Sequence, residues 1–364
     1  MVRDKVNREL AKWVARGAFP GASWAISLGG SRESGTVGWT SYSPGAPAVT
    51  RGTLYDLASV SKVVGLTAVC MRLFDRGELN LQRPVSEVLP AFGVHGKESI
   101  TPLDLLTHRS GLIPFRRYHH RLRRREALIQ TIFDEQLLAP IGEKTMYSDL
   151  SMVVLQRMVE TLTGKSLQAL FEDEVRSPLG LRSVQFNPPP RVRARCAPTE
   201  PVEPWRRRLR KDRRRPQPTF ETHSDGTDYT TGEVHDPTAL LLHGVSGNAG
   251  LFSTAGDLLP FGEALLGPGW VSEATIKTFT TRYDPSSSRA LGWDTRSEGG
   301  SLGRAWNATS FGHTGFTGTS LWIDPVARAV LVLLTNRVHP SADNGQILDA
   351  RRAFHETVWD ALNP

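Results

Sequence analysis

Three short strings in this 364-residue chain carry residue types suited to acyl chemistry. The first is Ser59-Val60-Ser61-Lys62, a hydroxyl and an amine three residues apart. On a helix that spacing puts both side chains on one face. At a helix N-terminus, free backbone N–H groups and the positive dipole end favour a developing alkoxide. The lysine must then be buried in the most apolar stretch of the chain, which is costly unless its altered proton affinity is used. By itself the string also reads as a serine cap followed by a snorkelling lysine. The second string is Tyr147-Ser148-Asp149, ahead of a helical segment, where a tyrosine can point out of a turn. The third is His313-Thr314-Gly315, which opens a strand over Gly318 to Ile323.

The elements that must position these strings follow from periodicity. Apolar spacing predicts a helix over residues 4–16, stopped by Gly17, then a strand over 21–29 and a hairpin partner over 34–40. Near the other end, residues 319–323 and 329–335 are β-rich and flank the Asp324-Pro325 turn signal; an amphipathic helix over about 343–361 follows. Both termini therefore build one layered α/β body. Ser59 to Arg76 is apolar on nearly every side and reads as a helix through the centre of a domain. Thr101-Pro102-Leu103-Asp104 has the cap, first-turn proline and acid of a helix start, and 150–162 reads as another helix closed by Gly164. Residues 187–234 show little periodicity and read as a long loop or insertion.

Several other strings fail on context. Gly299 to Gly303 matches a GxSxG nucleophile elbow but lacks the strand before and the helix after. Gly164-Lys165-Ser166 lacks the earlier glycine of a phosphate loop. The ten histidines form no HxxxH pair, and His235-Asp236 reads as a turn, so no metal or other cofactor is expected.

The three strings in order, Ser-x-x-Lys, Tyr-x-Asn/Asp and Lys/His-Thr-Gly, resemble the signature of penicillin-recognising serine hydrolases. Their spacing is similar to that of class C β-lactamases and their D,D-peptidase and esterase relatives. Residues 54–64, 105–112, 232–236, 244–254 and 311–325 also look like this family. The resemblance implies an α/β (α+β) fold of the β-lactamase/transpeptidase type: an antiparallel sheet flanked by the terminal helices, packed on a mainly helical subdomain. One domain is expected over 1–364, its sheet part about 1–58 and 240–364, its helical part about 59–239, with a basic insertion near 205–230.

By that resemblance Ser59 is the nucleophile of an acyl-enzyme, and Tyr147, Lys62 or both serve as base. The backbone N–H groups of Ser59 and Phe316 form the oxyanion hole, while Asp149, His313, Thr314 and Gly315 line the substrate site. An ionised Asp149 cannot donate to an acyl amide as asparagine would; near Lys62 it holds the lysine protonated, which favours Tyr147 as base. His313 replaces the lysine usual in β-lactamases, so its hold on a substrate carboxylate is weaker. Gly315 and Gly318 are expected to let substrate approach the strand, and Gly247 to Leu251 with Thr254 to form a glycine-rich wall. Arg337 and Asn336 follow the last strand, where they could meet an anionic substrate group, though a surface salt bridge is the expected role.

Composition sets the outer limits. Hydrophobic residues make up 39% and charged residues 22%, which excludes wholesale disorder. No apolar run approaches the ~20 residues of a membrane span, and the N-terminal segment lacks a secretion-signal core, so a cytoplasmic location is expected. Cys70 and Cys196 make neither a disulfide framework nor a zinc site. The net charge of +7 is concentrated in two runs, Arg116–Arg125 and Arg206–Arg215. Without interleaved aromatics beyond Tyr118 they read as solvated loops, and no nucleic-acid partner is expected. The expected partner is a small amide, ester or peptide substrate.

Overall fold

A computed structural model describes residues 2–209, 219–222 and 226–363; most of the second arginine run, 210–215, lies outside the described residues. Helix α1 (Val2–Ala15) buries Val6, Leu10 and Trp13, the i, i+4, i+7 stripe of an amphipathic helix. Strands β1 (Gly21–Leu28) and β2 (Ser31–Gly38) follow as a hairpin. Its turn is Gly29-Gly30, both at positive φ, so β2 begins three residues before the expected partner strand. Short strand β3 (Asp294–Thr295) and strands β4 (Phe311–Thr314), β5 (Ser320–Asp324) and β6 (Ala329–Thr335) complete one antiparallel sheet of order β2-β1-β6-β5-β4-β3.

Every residue of β6 is buried, because both sheet faces are covered. Alternation divides the faces. Trp24, Ile26, Leu331 and Leu333 pack under α1 and the C-terminal helix α4 (Ile347–Leu362), against Leu10, Phe354 and Val358. Ala25, Val330, Val332 and Leu334 point the other way, into a larger core shared with the helices of residues 60–209.

The central apolar segment departs from a plain α-helix. Lys62–Thr67 is π-helical and runs into α2 (Ala68–Asp75), stopped at Gly77. Single π-turns are uncommon and cluster at functional sites. The Thr101–Asp104 string forms the reciprocal capping box its residues imply. Helix α3 (Asp149–Thr163) is capped by Ser148 and closed by Gly164 in the left-handed conformation.

The described parts of 187–234 hold more regular structure than their composition suggests. Short helices at Pro190–Arg193 and Pro204–Leu209 use proline at their starts, and Thr219–Thr222 pairs antiparallel with Asp228–Thr231. Thr and Tyr residues at 229–231 favour strand, a weak signal that the flanking arginines and prolines mask. The first arginine run is also folded onto the body: Tyr118 and His119 are buried, and Arg116 and Arg125 pair with Glu135 and Glu160.

Candidate active site

Ser59 sits in the turn between Tyr55–Asp56, a short strand, and the π-helical segment. The turn is tight. Ala58 has φ of 45°, and its N–H donates to the buried Asp56 carboxylate at 2.8 Å. The N–H groups of Val60, Ser61 and Lys62 each reach back three residues, whereas that of Ser59 donates to nothing among the described residues. An unengaged N–H at the head of such a turn is available to an oxyanion.

Lys62 is fully buried beneath the Ser59 hydroxyl. Its Nζ lies 2.9 Å from Ser59 Oγ, 2.9 Å from the Asn248 carbonyl and 2.7 Å from Asp149 Oδ1. Burial alone depresses an ammonium, but here the Asp149 charge and Tyr147 outweigh it and hold Lys62 above its ordinary value. Two hydrogen-bond acceptors and a carboxylate counterion around Nζ suit a protonated amine.

Tyr147 is held by its neighbours in sequence. Ser148 caps α3, donates its hydroxyl to the Ile113 carbonyl at 2.7 Å and gives its N–H to His108 Nδ1 at 3.2 Å. Met146 N–H donates to the His108 carbonyl, and the His108 ring lies 4.6 Å from the Tyr147 ring. Burial, then the charges of Arg289 and Lys62, keep His108 neutral, far below the usual histidine range. Lys62 Nζ stands 5.0 Å from the Tyr147 ring centre and the Arg289 guanidinium 4.8 Å from it.

Strand β4 supplies the opposite wall. His313 is buried with Nδ1 2.8 Å from the Thr314 carbonyl, and burial with the nearby Arg289 and Lys62 charges drives it well below its usual pKa. It is therefore a neutral imidazole here. Phe316 is half exposed, and its N–H also donates to nothing among the described residues. Gly315 lines the cavity, and a Cβ there would collide with Thr319 Oγ1 and the Leu57 carbonyl near Ser59. At Gly318, with φ of 108°, it would meet Thr335 and Arg337.

A cavity of about 550 Å³ is lined by Ser59, Tyr147, Asp149, His313, Thr314, Gly315 and Phe316, with Lys62 under its floor. Of the expected glycine-rich wall, Asn248 and Ala249 line it. Thr254 does not; it bonds Ser183 instead. Asn336 is spent on the Thr40 and Pro198 carbonyls. Arg337 lines the cavity but is buried, donating to the carbonyls of Phe316, Ala342 and Asn344, so it is not a surface salt bridge.

Sequence reasoning missed Arg289, His108 and Arg351. Arg289 comes from a segment without a motif, has a buried Nη1 with no hydrogen-bond partner and makes no ion pair among the described residues. Arg351, on α4, donates to the carbonyls of Gly315 and Thr319 and thereby fixes the strand edge. His108 stood in the string 105–112, but only its contact with 146–148 reveals its part.

The family model described as Beta-lactamase matches residues 6–355. An N-acetylmuramyl-L-alanine amidase of Bacillus subtilis (strain 168) is 30% identical over 368 residues, 92% of this chain and 81% of that protein. A protein of Escherichia coli (strain K12) named for D-alanyl-D-alanine carboxypeptidase activity is 30% identical over 81% of this chain and 71% of its own length. The solved class C beta lactamase of Rhodobacter sphaeroides superposes with a TM-score of 0.74 at 18% identity, covering 99% of this chain and all of that one. The fold is thus of the β-lactamase/transpeptidase type, as the motif resemblance implied. No helix among the described residues is long and apolar enough to cross a membrane.

Proposed function

The chain belongs to the Beta-lactamase family, and from that premise we propose that it is a serine hydrolase cleaving an amide or ester bond through an acyl-enzyme on Ser59. The observation that carries this is the buried Lys62 ammonium 2.9 Å from Ser59 Oγ on the floor of an open cavity. A lysine used only for packing would not be aimed at a hydroxyl in a cleft.

In the proposed cycle Lys62 is held as an ammonium by the Asp149 carboxylate 2.7 Å away and has no lone pair to offer. It orients Ser59 Oγ and offsets charge. Tyr147, entering as the phenolate, takes the serine proton and becomes a neutral phenol as Oγ attacks the acyl carbon. The Lys62 ammonium and the Arg289 guanidinium, both about 5 Å from its ring, favour negative charge on the phenol oxygen. The carbonyl oxygen becomes an oxyanion between the N–H groups of Ser59 and Phe316, each worth ~3 kcal/mol in the transition state. Tyr147 returns the proton to the leaving group, and water releases the acyl group by the reverse sequence.

Peptide or muropeptide amides and small esters are the proposed substrates, in keeping with the amidase and carboxypeptidase relatives. Antibiotic degradation ranks below them, because His313 is neutral where β-lactamases usually carry a cationic lysine. A fluorophosphonate probe should add its mass to the peptide containing Ser59 and leave Ser59→Ala unlabelled. Labelling elsewhere, or full turnover by Ser59→Ala, overturns the reading. Nitrocefin turned over as fast as the best ester overturns the substrate ranking.

A further inference from the structure

The acyl chemistry needs neither arginine run, yet their described parts meet beside the site. The rings of His119, from the first run, and Trp205, adjoining the second, lie 4.5 Å apart. Together with Arg117, His120 and Arg206 they line a second cavity of about 520 Å³. This chamber shares Phe115, His235 and Pro237 with the Ser59 cavity, whereas Tyr147, Arg289 and His313 line only the latter.

Direction follows from the chemistry. The group that takes the serine proton returns it to the leaving group, so the leaving group faces Tyr147. The acyl half then extends along the wall that Tyr147 does not share. Most charged groups there are hydrogen-bonded, the two carboxylates keeping their charge. Glu200 accepts from His235 at 2.5 Å and from the Ala342 N–H at 3.1 Å, and Glu203 accepts from the Trp205 indole. Arg206 is spent on Glu233 and the carbonyls of Val234 and His235. Arg117 is exposed at the chamber and makes no ion pair or side-chain hydrogen bond among the described residues. Burial above all, then His120, with Glu203 opposing and Arg206 and Arg117 adding, pushes the neighbouring His119 down to about 4.

We propose that this chamber receives the acyl half of the substrate and selects for a carboxylate on it, with Arg117 as the specificity-determining cation. The proposal rests on acylation at Ser59. Arg117 acts as a local cation in a concave wall, where its effect is larger than on an open surface, opposed by Glu200 and Glu203 and screened by salt.

N-Succinyl-D-alanyl-p-nitroanilide and N-propionyl-D-alanyl-p-nitroanilide share a leaving group and differ by one carboxylate on the acyl half. The wild-type chain should favour the succinyl substrate by about fivefold in kcat/KM at low salt, fading in high salt. Arg117→Ala should bring the ratio near one, and Arg117→Glu should turn it towards a β-alanyl cap bearing an ammonium. No wild-type preference, a preference that survives Arg117→Ala, or a phosphonoacetyl cap outrunning succinyl would each overturn the assignment. If no amide is turned over and Ser59 takes no fluorophosphonate, the acyl-enzyme reading fails instead. Calorimetric binding of N-succinyl-D-alanine to Ser59→Ala then still tests the chamber: it must weaken with Arg117→Ala, and equal binding overturns the proposal.

Discussion

Replacing Asp149 by asparagine removes one charge from the site and almost no volume. Asp149 Oδ1 stands 2.7 Å from Lys62 Nζ, and at an effective dielectric of about 20 the attraction is roughly 6 kcal/mol. Most of that offsets the cost of burying both ions. The remainder appears as the raised proton affinity of Lys62, where an opposite charge at this range shifts a pKa by about 1–3 units. In Asp149→Asn burial acts without that counterweight and pulls the amine below its ordinary value of about 10.4. The basic limb of the kcat/KM profile should therefore move down by about 1–3 units, because the ammonium that steadies Ser59 is lost inside the assay range. Lys62 has a folded pKa above its unfolded one, so its stabilising contribution is complete below the unfolded value and fades as pH rises through the folded one. The variant should thus lose stability throughout the neutral range, by up to about 3–5 kcal/mol for an orphaned buried charge. Profiles on a p-nitrophenyl ester and denaturant unfolding at pH 8 measure both effects. A basic limb that stays in place, or a variant whose rate climbs as Lys62 deprotonates, would refute the reasoning and make the neutral amine the base.

Arg289→Gln should lower kcat/KM about tenfold, the rate equivalent of a cation–π contact of roughly 1.4 kcal/mol, with little change in melting temperature; an unchanged rate would remove Arg289 from the mechanism. His355 is fully buried, and burial, with Arg351 adding to it and a bond to Ser301 opposing, pushes it down to about 4. Its folded pKa lies below the unfolded value near 6.5, so its contribution is present above 6.5 and lost as pH falls towards 4, about 2 kcal/mol by pH 5. Urea titrations at pH 7.5 and 5 should show that loss shrinking by about this amount in His355→Asn, and an equal loss in both chains would contradict the shift. Gly315→Ala should cost about 1–3 kcal/mol and cut kcat, since the new methyl pushes the strand off the Leu57 carbonyl. Wild-type melting and turnover in that variant would show the contact to be loose.

Ser59, Lys62 and Tyr147 were legible because their strings are local. Ser59 and Lys62 share one helical face, and the Ser148 cap behind Tyr147 is a three-residue pattern. The terminal helices and the four longer sheet strands were legible for the same reason, through periods of 3.6 and 2. Arg289 and Arg351 were not, because each reaches the cavity from an element whose own periodicity says nothing about position 59. The strand beginning at Ser31 rather than Ser34 turned on two glycines whose positive φ only a hairpin demands. The π-turn at Lys62–Thr67 has no composition signal, although Gly65 within it lies against Leu251 and Phe186, where a methyl group would already be tight.

Two departures from the usual motif act together around the phenol. Asp149 brings a carboxylate to the cluster, and His313 withdraws the cation that a lysine on β4 would supply. The Lys62 ammonium and the Asp149 carboxylate then cancel at 2.7 Å, leaving a pair whose field falls off quickly. Arg289 has no such partner among the described residues, and its guanidinium lies 4.8 Å from the Tyr147 ring. A cation without a counterion favours negative charge on the nearest acidic group, and in the proposed cycle that is the Tyr147 phenolate, the form able to take the serine proton. Lys62 gains nothing from Arg289, because two cations repel. The same charges that keep His108 and His313 neutral therefore direct proton transfer to Tyr147 and away from every other basic nitrogen beside Ser59.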